Sequence, residues 1–473
     1  MISDCPMNEP AGPQRLIGQA RGFHQQGRLE EALASLDKAL ALQPDHFEAL
    51  YNRGILLWEM QRDQEALVSL DKAIGLRPDH AATWNNRGNV LRKLKRSADA
   101  LASFDQALAL KPDFANAIYN RANMLLLDMK RAGEALLAYD QALALNPGFA
   151  EAWNNRGNAL CSLGRLTEAL ASYDRALAIR PDFTAAMNCR GQALLESGRT
   201  DEAIAGFMRS AELAYGAEQS PLAGKGPSPP HKLRHDREQH DYQAGIKTAA
   251  KPGSRVQGPA VTPGNTAAAE QWRSKKPQIA VIDNLLTPEA LEGLRSFCLE
   301  APVWRKSYDN GYLGAFPEHG FACPLLGQIA QELRGAFPAI FRAHPLLYMW
   351  GFKYDSQLTG INIHADEAAV NVNFWLTPDQ ANLDPESGGL VIWDVAAPLS
   401  WDFAKFNSDT PAIRDFLAKA GAKSVTVPYR ANRAVIFDSD LFHETDTIRF
   451  KDGYQSRRIN VTMLFGRREQ GHL

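Results

Sequence analysis

The feature that most constrains this chain is a proline that returns every 34 or 35 residues, at Pro44, Pro78, Pro112, Pro147 and Pro181. The residues before each are alike: Leu-Asp-Lys-Ala-Leu-Ala-Leu-Gln before Pro44, Phe-Asp-Gln-Ala-Leu-Ala-Leu-Lys before Pro112, Tyr-Asp-Arg-Ala-Leu-Ala-Ile-Arg before Pro181. Small and large apolar positions recur in register. Trp84, Gly88, Leu91, Ala100, Phe104 and Ala107 in one period correspond to Trp153, Gly157, Leu160, Ala169, Tyr173 and Ala176 in another. Such a period is one supersecondary unit that hides its apolar face only against its neighbours. Two antiparallel helices per unit fit it. Gly88 and Ala100 are small enough for the helices to approach closely, Phe104 fills the space between neighbouring units, and the proline, with no amide proton to donate, ends the second helix.

These residues resemble the tetratricopeptide repeat over about 13–217. Six units fit, the sixth lacking its proline and the fourth carrying an extra residue near 129–133, expected in its inter-helix turn. Asn52, Asn86, Asn120 and Asn155, each followed by an arginine, recur at one repeat position, and Asn89, Asn123 and Asn158 lie three residues further on. Residues three apart share a helix face, so an asparagine ladder is expected along the first helices. The resemblance makes that face a concave groove, where amides that both donate and accept suit an extended protein or peptide partner. Alternatively, the asparagines and arginines tie adjacent repeats together.

Composition closes off other classes. Lys+Arg number 52 against 54 Asp+Glu, a net charge of -2, so no general grip on nucleic acid or an anionic membrane is expected. No apolar run is long enough to span a bilayer. The first ten residues lack a basic stretch followed by an apolar one, and the five cysteines form no CxxC pair. A reduced, cytoplasmic protein is the expectation. Residues 218–276 have the Pro, Gly, Ser and Ala content of a linker, interrupted at 231–243 by a stretch suited to a short polar helix docking through Leu233 and Tyr242. Its histidines are read as solvated rather than metal-binding.

From residue 277 the apolar period shifts toward two. Strands are expected at 278–283, 346–354, 360–364, 369–376, 389–394, 424–428, 433–438 and 457–466, with helices at 288–300, 324–337 and 411–420. An antiparallel barrel or sandwich with helices to one side is the expected architecture. On a strand at 360–366, Asn362, His364 and Asp366 would share one face and the isoleucines the other. Alone, that His-x-Asp is as readily a hydrogen-bonded pair as a metal site. His443 lies at the expected end of a later strand, where it can supply a third ligand. Alternation puts Arg458, Asn460 and Thr462 on a polar face, and likewise Asn371 and Asn373. A one-residue slip would exchange Arg458 for Arg457.

His364-Ala-Asp366, distal His443 and Arg458, with Tyr354, Gly388-Gly389-Leu390 and the opening 282–289, resemble the Fe(II)/2-oxoglutarate-dependent dioxygenases, in their prolyl-hydroxylase-like branch, over about 277–470. The resemblance implies a mainly β double-stranded β-helix, or jelly roll, with flanking helices, following the all-α repeat solenoid. It implies Fe(II) on His364, Asp366 and His443, 2-oxoglutarate as a small-molecule cosubstrate paired with Arg458 and Tyr354, O2, and a hydroxylated product. Asn362, Asn371 and Asn373 are candidate contacts to substrate or cosubstrate. The insert at 394–423, rich in Trp and Phe, is either a lid or part of the wall of the substrate site, or outer packing. Two other functions remain: a non-catalytic repeat scaffold with a degenerate barrel, and a cupin-like metal hydrolase or isomerase.

Overall fold

The computed structural model describes residues 12–216, 228–246, 252–265, 267–274, 276–341, 343–358 and 361–468. It divides into two compact units, up to Arg180 and from Pro181.

The first unit is five helix pairs, beginning Pro13–Gln25 with Leu29–Leu42 and ending Ala150–Ser162 with Leu166–Ile179. Each pair closes its turn in one way. The amide of the arginine before the second helix donates to a carbonyl five residues back, as in Arg62 to Leu57 and Arg96 to Leu91. In the fourth pair Arg131 reaches six back, to Leu125. The extra residue is therefore not in the turn, as expected, but within the first helix, where Met124–Asp128 widens to a π-turn. A π-bulge absorbs one residue without displacing the apolar face, and Met124 and Leu125 stay buried.

Phe104 also departs from expectation. It presses on Gly88 of its own pair, where a β-carbon would stand 2.5 Å from its Cε1. Tyr173 sits on Gly157 in the same way. Gly88→Ala should therefore lower stability by about 1–3 kcal/mol, the usual effect of overpacking, measured by chemical denaturation.

The second unit begins with a sixth helix pair, Thr184–Glu196 and Thr200–Tyr215. This pair is bonded to later segments of the same unit: Gln192 Nε2 donates to Leu347 O at 2.5 Å, and Arg467 pairs with Glu196 at 2.6 Å. Much of the stretch expected as linker is docked as well. Backbone amides of Ala260 and Val261 donate to Glu332, and that of Val256 to Gln328, so two side chains of the helix Pro324–Ala336 satisfy an otherwise irregular segment. The helix Pro230–Gly245 buries His235 against Tyr454 and Gln239 against the carbonyl of Ala301. Leu233, expected to dock, is exposed.

The unit continues through twelve strands: β1 (Ile279–Ile282), β2 (Lys306–Ser307), β3 (Tyr312–Ala315), β4 (Leu346–Tyr354), β5 (Gln357–Leu358), β6 (Val370–Trp375), β7 (Leu390–Ala396), β8 (Ser424–Val427), β9 (Ala434–Asp438), β10 (Leu441–Thr445), β11 (Ile448–Arg449) and β12 (Ile459–Phe465). All pair antiparallel, in a seven-stranded sheet ordered β1-β9-β6-β12-β4-β3-β2, a three-stranded sheet β10-β7-β8 and the pair β11-β5. One core cluster joins Tyr354 and Trp375 of the large sheet to Leu390, Ile392 and Val427 of the small one. A second packs Phe406, Ile413 and Leu417 of the insert against Ile363 and Phe442. The helix Pro288–Glu300 starts after Thr287, whose hydroxyl donates to Pro259 O instead of capping it. No helix among the described residues is long and apolar enough to cross a membrane.

Candidate metal centre

The strand expected at 360–364 is absent. Gly360 lies outside the described residues, and the segment from Ile361 is irregular with one bridge, His364 to His443. Its amides go to separate neighbours, His364 to His443 O, Ala365 to Phe406 O and Asp366 to Ser439 O, so no continuous ladder forms. His443 is not at a strand end but in the middle of β10. The single bridge, bonded in both directions at 2.9 and 2.8 Å, brings the two imidazoles side by side with ring centres 4.4 Å apart.

Asp366 completes the group. His443 Nε2 lies 3.5 Å and His364 Nε2 3.9 Å from its carboxylate oxygens, and one ligand atom from each residue falls within 4.8 Å of the others. This is the one such group of three among the described residues. Each imidazole's Nδ1 meets a backbone carbonyl two residues back, Asn362 O at 2.8 Å and Leu441 O at 3.0 Å. A carbonyl only accepts, so each Nδ1 carries the proton and each Nε2 turns a lone pair to the common centre. Burial beside a second imidazole pushes His364 down to about 4, so it is neutral at neutral pH. For Asp366, burial acts upward but is outweighed by its imidazole neighbours and by the hydrogen bond from Asn371, and the carboxyl titrates below its ordinary value. Two imidazoles and a carboxylate suit a divalent transition metal.

A polar chain supports the carboxylate. Asn371 Nδ2 donates to Asp366 at 2.6 Å, Asn373 Nδ2 to Asn371 at 2.6 Å, and Asn460 and Thr462 both donate to Asn373 Oδ1. The register of β12 on β6, Thr462 opposite Asn373, lines these side chains up. Asn371 is fully buried and holds the Asp366 carboxylate by its 2.6 Å bond. Asn373 does face a cavity. Asn362 is exposed and lines the outer part of that cavity, and its backbone carbonyl meets His364 Nδ1.

That cavity has two parts. An inner pocket of about 30 Å³ is lined by the three ligands with Tyr354, Asn373 and Thr445. It shares Trp350, Phe352, Ile361, His364 and Asp366 with an outer vestibule of about 650 Å³. The vestibule has the size of a small-molecule or side-chain site, and the inner pocket admits the end of a slender group. Phe403 and Asn407 of the insert form part of the vestibule wall while Phe406 packs beneath, so the insert both lines the cavity and packs against the core.

Tyr354 and Arg458 meet beside the inner pocket. Arg458 has no exposure, and its guanidinium carbon is 4.7 Å from the centre of the Tyr354 ring. Nε donates to Gly388 O at 2.7 Å, while Nη1 is buried without a hydrogen-bond partner. Among the described residues, no carboxylate lies within ion-pair distance of Arg458. Arg457 turns the other way and pairs with Glu238. The glycines explain themselves: Gly388 has φ +79°, and a β-carbon on Gly389 would meet Val427 O at 1.8 Å. Trp350, Phe352 and Thr445 were missed in the sequence. The first two sit in a largely apolar-aromatic run, and Thr445 ends a strand hidden after the turn at Ser439-Asp440.

In the repeats, the arginines beside the asparagines bridge neighbours. Arg87 Nε donates to Asp71 of the preceding pair and Nη1 to Ser103 of its own, a pattern repeated by Arg53 and Arg156. Asn86 donates to Tyr51, Asn120 to Asn85, and Asn155 to Tyr119 and Asn123, while Asn158 accepts from Tyr173. Those asparagine contacts serve the stack, and Asn52 and Asn89 remain half-buried.

Models of the tetratricopeptide repeat match residues 20–61, 47–80, 81–114, 150–183 and 169–221. The helix pairs in these segments are tetratricopeptide repeats. Among solved structures, the chain is similar to YrrB, described as a TPR protein with an unusual peptide-binding site (27% identity, 37% of this chain, 89% of that one, TM-score 0.32). It is also similar to PilW, a type IV pilus biogenesis factor (20%, 44% and 95%, TM-score 0.41), and to a thermophilic TPR protein of Thermus thermophilus (24%, 39% and 100%, TM-score 0.34). No curated protein matches the chain.

Proposed function

We propose that the second unit is an Fe(II)- and 2-oxoglutarate-dependent dioxygenase, its two sheets forming a double-stranded β-helix, and that the repeats recruit a protein or peptide substrate to it. One observation carries the reading: a three-residue centre shares its pocket with Tyr354, against whose ring lies a fully buried guanidinium that, among the described residues, no carboxylate approaches to ion-pair distance. A buried cation without a partner is costly, and a dicarboxylate reaching from the metal to Arg458 removes that cost. A metal hydrolase or isomerase has no use for the arginine. A scaffold alone agrees with the repeats but leaves the two imidazoles and the guanidinium unexplained.

When bound, iron and 2-oxoglutarate supply an oxidant able to hydroxylate a substrate C–H bond. The chain's own part is positional. His364, Asp366 and His443 hold the metal on one side, and Asn371 fixes the carboxylate's orientation. Arg458, stacked on Tyr354, takes the far carboxylate. Trp350, Phe352 and Phe403 exclude water and seat the substrate.

The purified protein with Fe(II), 2-oxoglutarate and O2 is expected to release succinate, and His364→Ala is not. Equal release by both proteins overturns the proposal.

A further inference from the structure

Of the charged residues on the helix Pro230–Gly245, Arg234 and Glu238 lie four apart and so on one face. Glu238 pairs with Arg457 at 2.5 Å, and Arg234 pairs with Asp355. Arg457 also approaches Asp355, at 3.7 Å. These partners are not scattered. Asp355 directly follows Tyr354 at the end of β4, and Arg457 directly precedes Arg458 at the start of β12.

Regular pairing of β12 with β4 begins at Ile459 opposite Lys353. Beyond it, one backbone bond joins the two segments, from Tyr354 N to Arg458 O at 3.0 Å. β3 pairs with Tyr354 on its other side, and Thr377 Oγ1 donates to Arg457 O at 2.7 Å. Along extended chain, neighbours face opposite ways: Tyr354 and Arg458 turn inward, and Asp355 and Arg457 turn outward to the helix. His235, buried against Tyr454, and Gln239, bonded to Ala301 O at 2.9 Å, keep the helix seated.

We infer that this helix is a charge latch, with Arg234 and Glu238 as positioning residues that hold the Tyr354–Arg458 clamp in register for the far carboxylate of 2-oxoglutarate. The inference rests on the dioxygenase reading.

The test uses the full chain loaded with Mn(II) and titrated calorimetrically with 2-oxoglutarate. Glu238→Gln should weaken 2-oxoglutarate by about tenfold, as loss of a supporting shell does. Its Mn(II) affinity and melting temperature should stay those of the parent. Arg234→Gln, at an exposed end of the latch, should act in the same direction. Weakening in either variant with metal binding intact supports the latch. Unchanged affinity in both overturns it, as does parallel loss of Mn(II) and 2-oxoglutarate, the mark of a generally loosened domain. A parent that binds Mn(II) but no 2-oxoglutarate overturns the dioxygenase reading and the latch with it.

Discussion

Asp366→Ala is expected to abolish succinate formation and to weaken Fe(II) binding by more than about a hundredfold. Removing a supporting group around a metal costs roughly 10–100-fold, and Asp366 is the ligand itself, the anionic member of the three. The variant should nevertheless fold. The carboxylate is almost wholly buried between two imidazoles, so its loss also removes a desolvation cost. Asn371→Leu supplies the graded comparison. It deletes the 2.6 Å bond to Asp366 while leaving all three ligands, so its loss should fall within the roughly 10–100-fold range of a supporting group. Metal titration under anaerobic conditions, with succinate measured on the same samples, reads both. If Fe(II) affinity survives Asp366→Ala, these residues are not a metal centre.

Arg458→Met separates function from stability by the sign of its two effects. A structural arginine stabilises the fold, and its removal destabilises. Arg458 is a buried cation with no carboxylate at ion-pair distance among the described residues. Replacing it with an apolar chain of similar length relieves a desolvation penalty of several kcal/mol. Against this, the carbonyl of Gly388 loses its donor, at about 1–3 kcal/mol. The variant without cosubstrate should thus melt no lower than the parent. Its affinity for 2-oxoglutarate should fall by about 2–5 kcal/mol, the effect of truncating one partner of a buried charge pair, or roughly 30-fold and upward in Kd. A lowered melting temperature with unchanged 2-oxoglutarate binding would make Arg458 a structural residue. Lys353 makes the contrast plain. It is equally buried on the same strand as Tyr354, but burial drives its amine well below the ordinary range, so it can shed its charge. An arginine cannot.

The repeats were legible because a solenoid is decided locally. Each proline, each glycine facing an aromatic ring, and each Ala-Leu-Ala-Leu run acts on the neighbouring pair, and 34-residue spacing carries it forward. What failed there was finer. The extra residue of the fourth pair was absorbed as a π-turn, because keeping Met124 and Leu125 inside outweighs keeping the helix regular.

In the second unit, alternation along 457–466 and 369–376 was enough to put Arg458, Asn460, Asn371 and Asn373 on polar faces, since period two arises from the pleat alone. The spacing of His364 and Asp366 also pointed to a pair. Their backbone was misjudged: the ligands sit on an irregular segment held by one bridge, and a bridge between residues 364 and 443 is a long-range event with no local signature. The same holds for Asn371, assigned to Asp366 only by strand register, and for the helix Pro230–Gly245, whose composition reads as solvated and whose seat exists only once Arg457 and Asp355 are side by side. Residue types and their periods, acting over one or two turns of chain, determined the two architectures and the chemistry on offer. Which of those groups face each other was decided by pairings between residues distant in the chain, whose energies depend on burial and geometry that arise only in the folded protein.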